Sequence, residues 1–506
     1  MAWDESRQLL SRNMNQFAAI RSQRGIRIAI AAVGVLFILS IVLLLPSAST
    51  TQVLGFGQGH TTASQPTAKP LTPDTTTLIT DLSHYFADYP IHKPFKEKYG
   101  ELGHRNRVLR DWLIQADASS DPATKALLLN AVEEVAIAQY PFLQNPQQPK
   151  SHRPLEDLRA SFEPTSAGIV IPTSDKTLRY AAHLIGSLRS VLNSTLPIEV
   201  VYAGDDDLSP TNRNHLSSLA ASGPTITFLD ILTIFDDTTL QLQTGGWAIK
   251  AFAALGSRFE KVILADADAV FLQPPEVLLH QEAFIHKGAL LFHDRLLWKH
   301  AFEGRHEWWR DQIRRPSDEM NASLVWTEDY AEEADSGLVV LDKSRHDTFM
   351  GLLHICWQNS YEVREETTYK ITYGDKESWW LGLELAGAQY EFSKHYGGIV
   401  GWETVDEQGR RGVCSFVIAH VDSQNRLLWY NGSLLKNKGQ SGMEYEYEVP
   451  DKWMIDAEWV KGARKQDHSC MVEGEVRSLT PEEMGVLDRS IALAKMVDAL
   501  VRPVEG

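Results

Sequence analysis

Residues 262–273 read VILADADAVFLQ, so that Asp266 and Asp268 stand between two apolar runs. Two carboxylates one residue apart point to the same side of an extended chain, because strand side chains alternate with period two. Burying both carboxylates unpaired beside these runs would be costly. A divalent cation removes that cost, and Mg²⁺-like ions combine one or two carboxylates with substrate phosphates. The stretch predicts a metal–diphosphate site at the end of a central strand, with two solvated turn aspartates as the alternative.

Strand and helix patterns alternate around this stretch. Apolar runs predict strands over 168–171, 198–202, 225–229 and 262–265, and helical spacing predicts intervening helices over 178–192, from Pro210 onward and over 247–255. We expect Ser209 to cap the helix that begins at Pro210. The alternation predicts an α/β fold with a mostly parallel central sheet flanked by helices, whose ligands bind at the carboxyl ends of the strands. Neither GxGxxG nor a Walker-type loop is present, which disfavours ordinary dinucleotide or P-loop chemistry.

The N-terminal region predicts a membrane anchor. Residues 28–45 carry no charge and would span about 27 Å as a helix. Arg21, Arg24 and Arg27 precede the run, and the next Lys or Arg is Lys69. The positive-inside rule therefore places a tail of residues 1–27 in the cytosol and the remainder in the lumen, as a single-pass type II signal-anchor. A cleaved signal peptide is the alternative.

Composition divides the remainder of the chain. Residues 46–75 are rich in Ser, Thr, Gln, Gly and Pro, which is typical of a flexible stem. Residues 76–160 are predicted to form a helical accessory segment and linker, with one helix over 122–139. The main domain is expected over 161–470, followed by a C-terminal helical extension over 471–506.

Charge and cysteine content restrict the class of partner. The net charge is −17 at pH 7 although the first 27 residues are basic, so the body argues against a nucleic-acid partner. The three cysteines, Cys356, Cys414 and Cys470, have no zinc-type spacing. Two of them could form a disulfide in an oxidising lumen, and the sequence leaves open which two.

Four segments carry a resemblance to a known family. They are TGGWAIKAFAALGSRFEKVILADADAVFLQPPEVLL (244–279), ADSGLVVLDKSRH (334–346), GDKESWWLGLELAG (374–387) and HVDSQNRLLWYNGSLLKNK (420–438). In order and spacing they resemble the fungal Golgi α-mannosyltransferases of glycosyltransferase family 71, the α-1,3-mannosyltransferase type. The resemblance covers about residues 168–438. It implies a GT-A-type nucleotide-sugar transferase domain behind a transmembrane helix and stem, on the luminal side of the Golgi membrane.

The resemblance also assigns the donor site. Asp266 and Asp268 would hold Mn²⁺ or Mg²⁺ on the diphosphate of GDP-mannose, and His420 would be a further metal ligand. The alternative for His420 is a structural histidine at a strand end. Lys250 and Lys436 would contact donor phosphate or sugar, with solvated surface lysines as the alternative.

Three acidic residues are candidates for hydroxyl recognition or acid–base work. Asp335 precedes a strand-like run, and Asp375 and Glu377 stand at the start of a helix-like segment. Helix capping is the alternative for Asp375 and Glu377. The sequence names no nucleophile for a reaction that retains the donor configuration.

The tryptophan-rich second half is where acceptor recognition is expected. One or two of Trp308, Trp309, Trp379, Trp380 and Trp429 are predicted to offer a flat surface to a glycan, with core filling as the alternative for the others. The resemblance thus implies a metal-dependent retaining α-mannosyltransferase that transfers mannose from GDP-mannose to mannose-containing N- or O-linked glycans in α-1,3 linkage, with a Golgi enzyme complex as a further partner. The alternatives are α-1,2 linkage, a GT-A enzyme that uses a UDP-sugar, and a non-catalytic membrane-anchored carbohydrate-binding protein.

Overall fold

A seven-stranded sheet is built around the predicted central strand. The computed structural model describes residues 71–219, 223–224, 226–406, 408–443, 445–464 and 467–501. The strands are β1 (Glu163–Pro172), β2 (Ile198–Tyr202), β3 (Ile226–Asp230), β4 (Phe259–Ala265), β5 (Ala269–Phe271), β6 (Ala289–Leu291), β7 (Leu338–Asp342), β8 (Glu391–Phe392), β9 (Ile399–Val405), β10 (Arg411–Ser415), β11 (Ile418–Val421), β12 (Leu427–Asn431), β13 (Lys452–Met454), β14 (Glu458–Val460), β15 (Ser469–Val472) and β16 (Arg477–Ser478).

The order of the large sheet is β3-β2-β1-β4-β7-β6-β8. Strands β3, β2, β1 and β4 pair in parallel, as do β6 and β8. Within this sheet only β7 runs against its neighbours, β4 and β6. The predicted α/β class with a mostly parallel central sheet is therefore confirmed. The strand order changes direction between β1 and β4, which is where open sheets of this kind form a ligand crevice.

Helices cover both faces of the sheet. They are α1 (Pro73–Asp88), α2 (Tyr99–Ala118), α3 (Pro122–Gln139), α4 (Pro154–Ala160), α5 (Leu178–Ser190), α6 (Pro210–Ser218), α7 (Ile249–Gly256), α8 (Glu282–Lys287), α9 (Glu303–Gln312), α10 (Asp318–Ala322), α11 (Leu324–Glu328), α12 (His346–Asn359), α13 (Tyr361–Val363), α14 (Tyr369–Ile371), α15 (Ser378–Ala386) and α16 (Pro481–Val501). A π-helical turn, Arg364–Thr368, joins α13 to α14.

The alternation of side chains along β4 divides the core between these two faces. Val262 and Leu264 pack into a cluster with residues of α2, α3, α7, α12 and α15. Ile263 and Ala265 pack into a second cluster with residues of α5 and α6. All four side chains are fully buried. A continuous apolar run is what a strand covered on both faces requires.

Local signals place several elements correctly. Helix α3 coincides with the prediction over 122–139, and Asp121 caps it by accepting a hydrogen bond from the Thr124 amide at 2.9 Å. Helix α6 begins at Pro210 as predicted, but the Ser209 side chain makes no capping hydrogen bond. Its amide instead donates to Asp175 Oδ1 at 3.0 Å. The predicted helix over 247–255 starts as a 3₁₀ turn, Gly246–Ala248, that runs into α7.

Two smaller sheets complete the body. One has the order β11-β12-β5, and the other the order β14-β15-β10-β9-β13-β16. Cys414 and Cys470 lie opposite each other on β10 and β15 and form a disulfide, while Cys356 is buried and free. This pairing answers a question that the sequence left open.

The N-terminal predictions fall largely outside the described residues. The tail 1–27, the anchor 28–45 and most of the stem 46–75 belong to that part, although α1 already begins at Pro73. Where the structure describes the chain, no helix is both long and apolar enough to cross a membrane. All described residues belong to one compact unit, Thr67–Gly506, and the boundaries at 161 and 471 stay predictions.

Candidate active site at the carboxyl end of strand β4

Asp266 and Asp268 lie in a tight turn between β4 and β5. The Ala269 amide donates to the Asp266 carbonyl at 3.0 Å, which closes the turn. The expectation of an extended chain is therefore wrong. The physical reason is that the chain leaves the large sheet after Ala265 and must bend to pair β5 with β12 in another sheet. The turn still places both aspartates at the carboxyl end of β4.

Lys250 organises one half of the site. Its ammonium lies 2.9 Å from Asp266 Oδ1 and 3.2 Å from Asp375 Oδ2, and it donates to the Ser336 carbonyl at 2.6 Å and hydroxyl at 3.0 Å. Only 4% of Lys250 is exposed, so the alternative of a solvated surface lysine is excluded. Burial lowers the pKa of Lys250, but the two carboxylates outweigh burial and raise it, so the ammonium stays charged. We call Lys250, Asp266, Ser336 and Asp375 the Lys250 cluster.

Negative charge is in excess around this lysine. Burial, opposed by Lys250 and reinforced by the charges of Asp268 and Asp375, raises the pKa of Asp266 to about 6. The Asp266 side chain is nevertheless 27% exposed, so it can be reached from solvent. Asp266, Asp268 and Asp375 together carry three negative charges, against the two positive charges of Lys250 and of Lys438, which pairs with Asp268. One negative charge stays in excess, and a further cation would neutralise it.

Lys438 organises the other half of the site. It forms an ion pair with Asp268, and both side chains are partly exposed, at 26% and 19%. The backbone carbonyl of Asp268 accepts a hydrogen bond from the Ser433 amide at 2.8 Å. Burial lowers the pKa of Lys438, and the Asp268 carboxylate more than reverses this effect. Residues 432–449, which carry Lys438 after β12, are called the β12 loop below.

The family resemblance pointed to Lys436, another lysine of the β12 loop, and not to Lys438. Lys436 pairs with Glu448 and lies 5.5 Å from the centre of the Trp402 ring. Lys438 had the same signal, because it closes the last family-like segment two residues later. The loop's path, which spacing does not encode, decides which of the two lysines reaches Asp268.

Asp335 and His420 form a buried pair next to the aspartate turn. His420 Nε2 lies 3.0 Å from Asp335 Oδ2, and Asp335 Oδ1 accepts from the Asn431 side chain at 2.9 Å and from the Gly337 amide at 3.0 Å. Burial would raise the pKa of Asp335, but the hydrogen bond from His420 holds it well below its usual range. The Gly337 carbonyl in turn accepts from the Asp266 amide at 2.9 Å. Asp335 is thus joined to the turn through one residue.

His420 keeps one ring nitrogen unpaired. Its ring stacks on Trp429 with centroids 4.4 Å apart, and within the described chain Nδ1 has no hydrogen-bond partner. When Nε2–H donates to a carboxylate, the neutral ring presents an Nδ1 lone pair, which is how carboxylates orient metal-binding histidines. The same geometry also suits the structural alternative.

The residues at the turn fit a hard divalent cation that is completed by a diphosphate. Among the described residues, no group of three or more His, Cys, Asp or Glu side chains is arranged to hold a metal ion. Two partly exposed carboxylates in a region of excess negative charge nonetheless supply the oxygen ligands that Mg²⁺ and Mn²⁺ accept, with phosphate oxygens as the rest.

Asp375 and Glu377 have indole partners at the start of α15. Neither side chain caps the helix, which removes the capping alternative. Trp379 Nε1 donates to Asp375 at 2.8 Å, and Trp380 Nε1 donates to Glu377 at 2.6 Å. Glu377 also accepts from the Glu333 amide at 3.1 Å, close to Asp335 in the chain. Burial, with the charge of Glu332 second, raises the pKa of Glu377 to about 8.

The predicted tryptophan surfaces are wrong. Trp308, Trp309, Trp379, Trp380 and Trp429 are all buried and fill the core. Their indoles satisfy the two acids of α15 or pack against other rings, as between Trp309 and Trp380 at 5.2 Å. Periodicity within a helix could not show which face would be covered by α2 and α12.

Comparison with known proteins follows the same segments. Residues 166–422 match the sequence model of the family described as "Mannosyltransferase putative". Alpha-1,3-mannosyltransferase MNT3 of Saccharomyces cerevisiae is 29% identical over 289 residues, covering 50% of this chain and 44% of that relative. Alpha-1,3-mannosyltransferase MNT2 of the same yeast is 28% identical over 320 residues, covering 56% and 54%. The chain spans about half the length of the curated relatives it matches.

Proteins of known structure are less similar to this chain than these sequence relatives are. The mannosyltransferase Ktr4p from S. cerevisiae, solved in complex with GDP, has a TM-score of 0.29 and 10% sequence identity, over 62% of this chain and 82% of that one. A superposition of this quality carries no conclusion about the site, and the assignment rests on sequence. By its matched segment, the chain belongs to this mannosyltransferase family, the fungal α-1,3-mannosyltransferases of glycosyltransferase family 71.

Proposed function

We propose that this protein is a metal-dependent, retaining α-mannosyltransferase that transfers mannose from GDP-mannose to mannose-containing glycans in α-1,3 linkage. The observation that carries the proposal is the aspartate turn at the end of β4. There, two reachable carboxylates meet Lys250 inside the segment that matches the family, and Lys438 joins them from beyond the end of that segment. The donor and the linkage come from the family resemblance.

A GT-A-type arrangement is part of the proposal. The large sheet changes strand order between β1 and β4, and the aspartate turn follows β4 directly. In open α/β sheets this position holds the ligand. It supports a nucleotide-sugar crevice above β1 and β4, with the diphosphate next to Asp266 and Asp268.

The proposed metal is Mn²⁺ or Mg²⁺, held by Asp266 and Asp268. His420 is a further candidate ligand from the family resemblance alone, because in the described chain these three side chains are not grouped around one point. When bound, such an ion offsets the negative charge that builds on a departing diphosphate. Once a cation binds the Asp268 carboxylate, Lys438 can leave its ion pair with Asp268 and pair with a phosphate of the donor. Lys250 keeps Asp266 and Asp375 in position and neutralises part of their charge.

In the proposed reaction, the bond from mannose C1 to the diphosphate oxygen breaks and a bond from C1 to an acceptor hydroxyl oxygen forms. The hydroxyl proton passes to a base or to the departing phosphate. GDP-α-mannose and an α-linked product share one configuration, so the reaction is retaining. Asp335, Asp375 and Glu377 are buried and bonded to protein donors, which supports roles in positioning the site and assigns no nucleophile.

The proposed location is the Golgi membrane, with the transferase body in the lumen. It rests on the uncharged run 28–45 behind three arginines and on the family resemblance. The disulfide between Cys414 and Cys470 agrees with an oxidising compartment.

The test is transfer by the purified full chain. GDP-mannose, Mn²⁺ and α-mannobiose should give a trisaccharide whose new linkage is α-1,3, and chelation of the metal should stop its formation. Transfer from UDP-sugars, or an α-1,2 product, would select the corresponding alternative. Absence of transfer together with absence of Mn²⁺-dependent GDP binding would overturn the enzymatic proposal and leave the carbohydrate-binding one.

A further inference from the structure

Two large aromatic side chains remain exposed beside the candidate active site. Trp247 is 49% exposed and Tyr373 is 54% exposed, in contrast to the buried tryptophans of the core. Their ring centroids lie 5.4 Å apart with the planes inclined by 47°. Exposing two adjacent rings leaves apolar surface in water, which is unfavourable unless the surface is used. We call these two residues the Trp247–Tyr373 pair.

The pair is connected to the Lys250 cluster by both of its chain segments. Trp247 precedes Lys250 by three residues, which is about one helical turn, in the 3₁₀ turn that runs into α7. Tyr373 precedes Asp375 by two residues. The contact of 3.2 Å between Lys250 Nζ and Asp375 Oδ2 joins the two segments. The exposed rings therefore stand next to the ion pair that fixes Asp266.

Gly374 shapes the contact between these segments. Its φ is +64°, a left-handed conformation that favours glycine. A Cβ at this position would stand 2.7 Å from Trp247 Cε3, closer than real carbon contacts. The backbone of residue 374 thus packs directly against the indole. A side chain there would displace Trp247.

Resting on the proposed function, we propose that the Trp247–Tyr373 pair binds a pyranose ring of the acceptor glycan. The C–H faces of a pyranose are apolar and pack on aromatic rings, and carbohydrate-sized sites combine such rings with a few polar groups. Here the polar groups are those of the Lys250 cluster.

The openness of the pair favours the acceptor over the donor. Asp268, two residues further along the turn than Asp266, pairs with Lys438 and has charged rather than aromatic surroundings, which suits the diphosphate of the donor. An acceptor attached to a glycoprotein has to leave the site into solvent, so its subsite must be open on one side. The Trp247–Tyr373 pair meets this requirement.

The chain contains a matched control. Tyr85 and Tyr89 on α1 form another exposed ring pair, with centroids 5.2 Å apart and planes inclined by 38°. They lie on a helix that packs against α3 and contribute nothing to the Lys250 cluster. Tyr85→Ala therefore removes exposed aromatic surface without touching the candidate site.

The experiment measures KM for α-mannobiose and for GDP-mannose in the full chain with Trp247→Ala, Tyr373→Ala, Gly374→Ala and Tyr85→Ala. Saturation-transfer NMR with α-mannobiose alone supplies a second reading that needs no turnover. We expect Trp247→Ala to raise KM for α-mannobiose about five- to tenfold more than KM for GDP-mannose and to weaken the NMR signal. Gly374→Ala should act in the same direction, and Tyr85→Ala should match the wild type. Melting temperatures identify variants that fail to fold, and Tyr373→Ala, on an exposed ring, remains the test in that case.

Each outcome decides a separate question. If the wild type transfers mannose and Trp247→Ala behaves like Tyr85→Ala, the acceptor site is wrong and the proposed function stands. A rise in KM for GDP-mannose alone also overturns the acceptor site, because the rings would then stack on the donor. If the wild type binds α-mannobiose through Trp247 but transfers nothing, the proposed function fails and the glycan site stands. If it neither transfers nor binds, both fail.

Discussion

The two aspartates of one turn are held in different ways. Asp266 is paired with Lys250, a buried residue of the helix that leads directly into β4. Asp268 is paired with Lys438, a partly exposed residue of the β12 loop, 170 positions away in the chain. The first pair is fixed by the packed core, whereas the second depends on how a distant loop is held. The half with Asp266 and Lys250 is therefore rigid. In the half with Asp268 and Lys438, the ion pair can open so that both side chains contact a ligand.

The C-terminal helix supports the second half. Asp498 on α16 accepts hydrogen bonds from Arg179 Nε at 2.7 Å and from the Tyr447 hydroxyl at 2.6 Å, and it lies 2.8 Å from His183 Nε2. Tyr447 belongs to the β12 loop, and Arg179 and His183 belong to α5. Asp498 therefore ties the loop that carries Lys438 to the body of the domain. This helix lies outside the segment that matches the family.

The largest effect is expected at the aspartates. Asp268→Asn should lower mannosyl transfer by about two to three orders of magnitude, because the proposed cation loses a charged ligand. Its melting temperature should change little, since Lys438 can turn to solvent. Asp266→Asn should lower both transfer and stability, because it leaves buried Lys250 with one carboxylate fewer. If thermal unfolding showed the two variants to be equally stable, the two aspartates would not be held in different ways.

The lysines should show the same contrast in stability. Lys250→Met leaves Asp266 and Asp375 without their shared cation and should reduce the free energy of unfolding by about 3 kcal/mol. Lys438→Met breaks a partly exposed pair and should cost less than about 1 kcal/mol. Urea unfolding of both variants measures the difference. If Lys438→Met proved the more destabilising, the β12 loop would be part of the rigid core.

A smaller effect is expected from the C-terminal helix. Asp498→Asn weakens the contact with Tyr447 and Arg179, so the β12 loop should open more often and trypsin should cleave after Lys438 a few-fold faster. KM for GDP-mannose should rise more than kcat falls, as for a positioning residue. Asp488→Asn, an exposed position of the same helix, is the control. Unchanged proteolysis in Asp498→Asn would show that α16 does not hold the loop.

A further effect concerns the pH dependence of stability, through Glu377 at the start of α15. The pKa of Glu377 is raised to about 8, mainly by burial, above its ordinary value of 4.5. Between these values the folded chain keeps a proton that the unfolded chain has lost, so the free energy of unfolding falls as pH rises from about 5 to 8. Glu377→Gln should flatten this slope. An identical slope in the variant, measured by urea unfolding across that range, would exclude burial of a protonated Glu377.

Much of the fold follows from local patterns. Strand β2 and helix α3 have the predicted bounds, and β4 carries the predicted apolar run, because these elements are specified by apolar spacing together with Pro and Asp signals at their ends. The aspartate motif was also found from sequence, since two acids between buried runs are conspicuous. Its conformation was not, because the turn arises from the pairing of β5 with β12.

The partners of the site residues could be identified only from the structure. The family resemblance selected Lys436, but the loop brings Lys438 to Asp268. The sequence suggested five tryptophans as glycan surfaces, but packing buries all five and leaves Trp247 and Trp298 exposed. Whether an aromatic ring is buried depends on helices and strands that are distant in the chain. The sequence of one segment does not indicate which of these elements will pack against it.

The sequence by itself determined the α/β class, the position of the aspartates at the end of a central strand, and the family, because these reside in short contiguous segments. The tertiary structure decided which lysine serves each aspartate, which cysteines pair, and which aromatic rings face solvent. These are contacts between residues tens to hundreds of positions apart, fixed by the packing of sheets and helices around a common core. Charge and exposure at the site are properties of that packing, and they set what the two aspartates can bind.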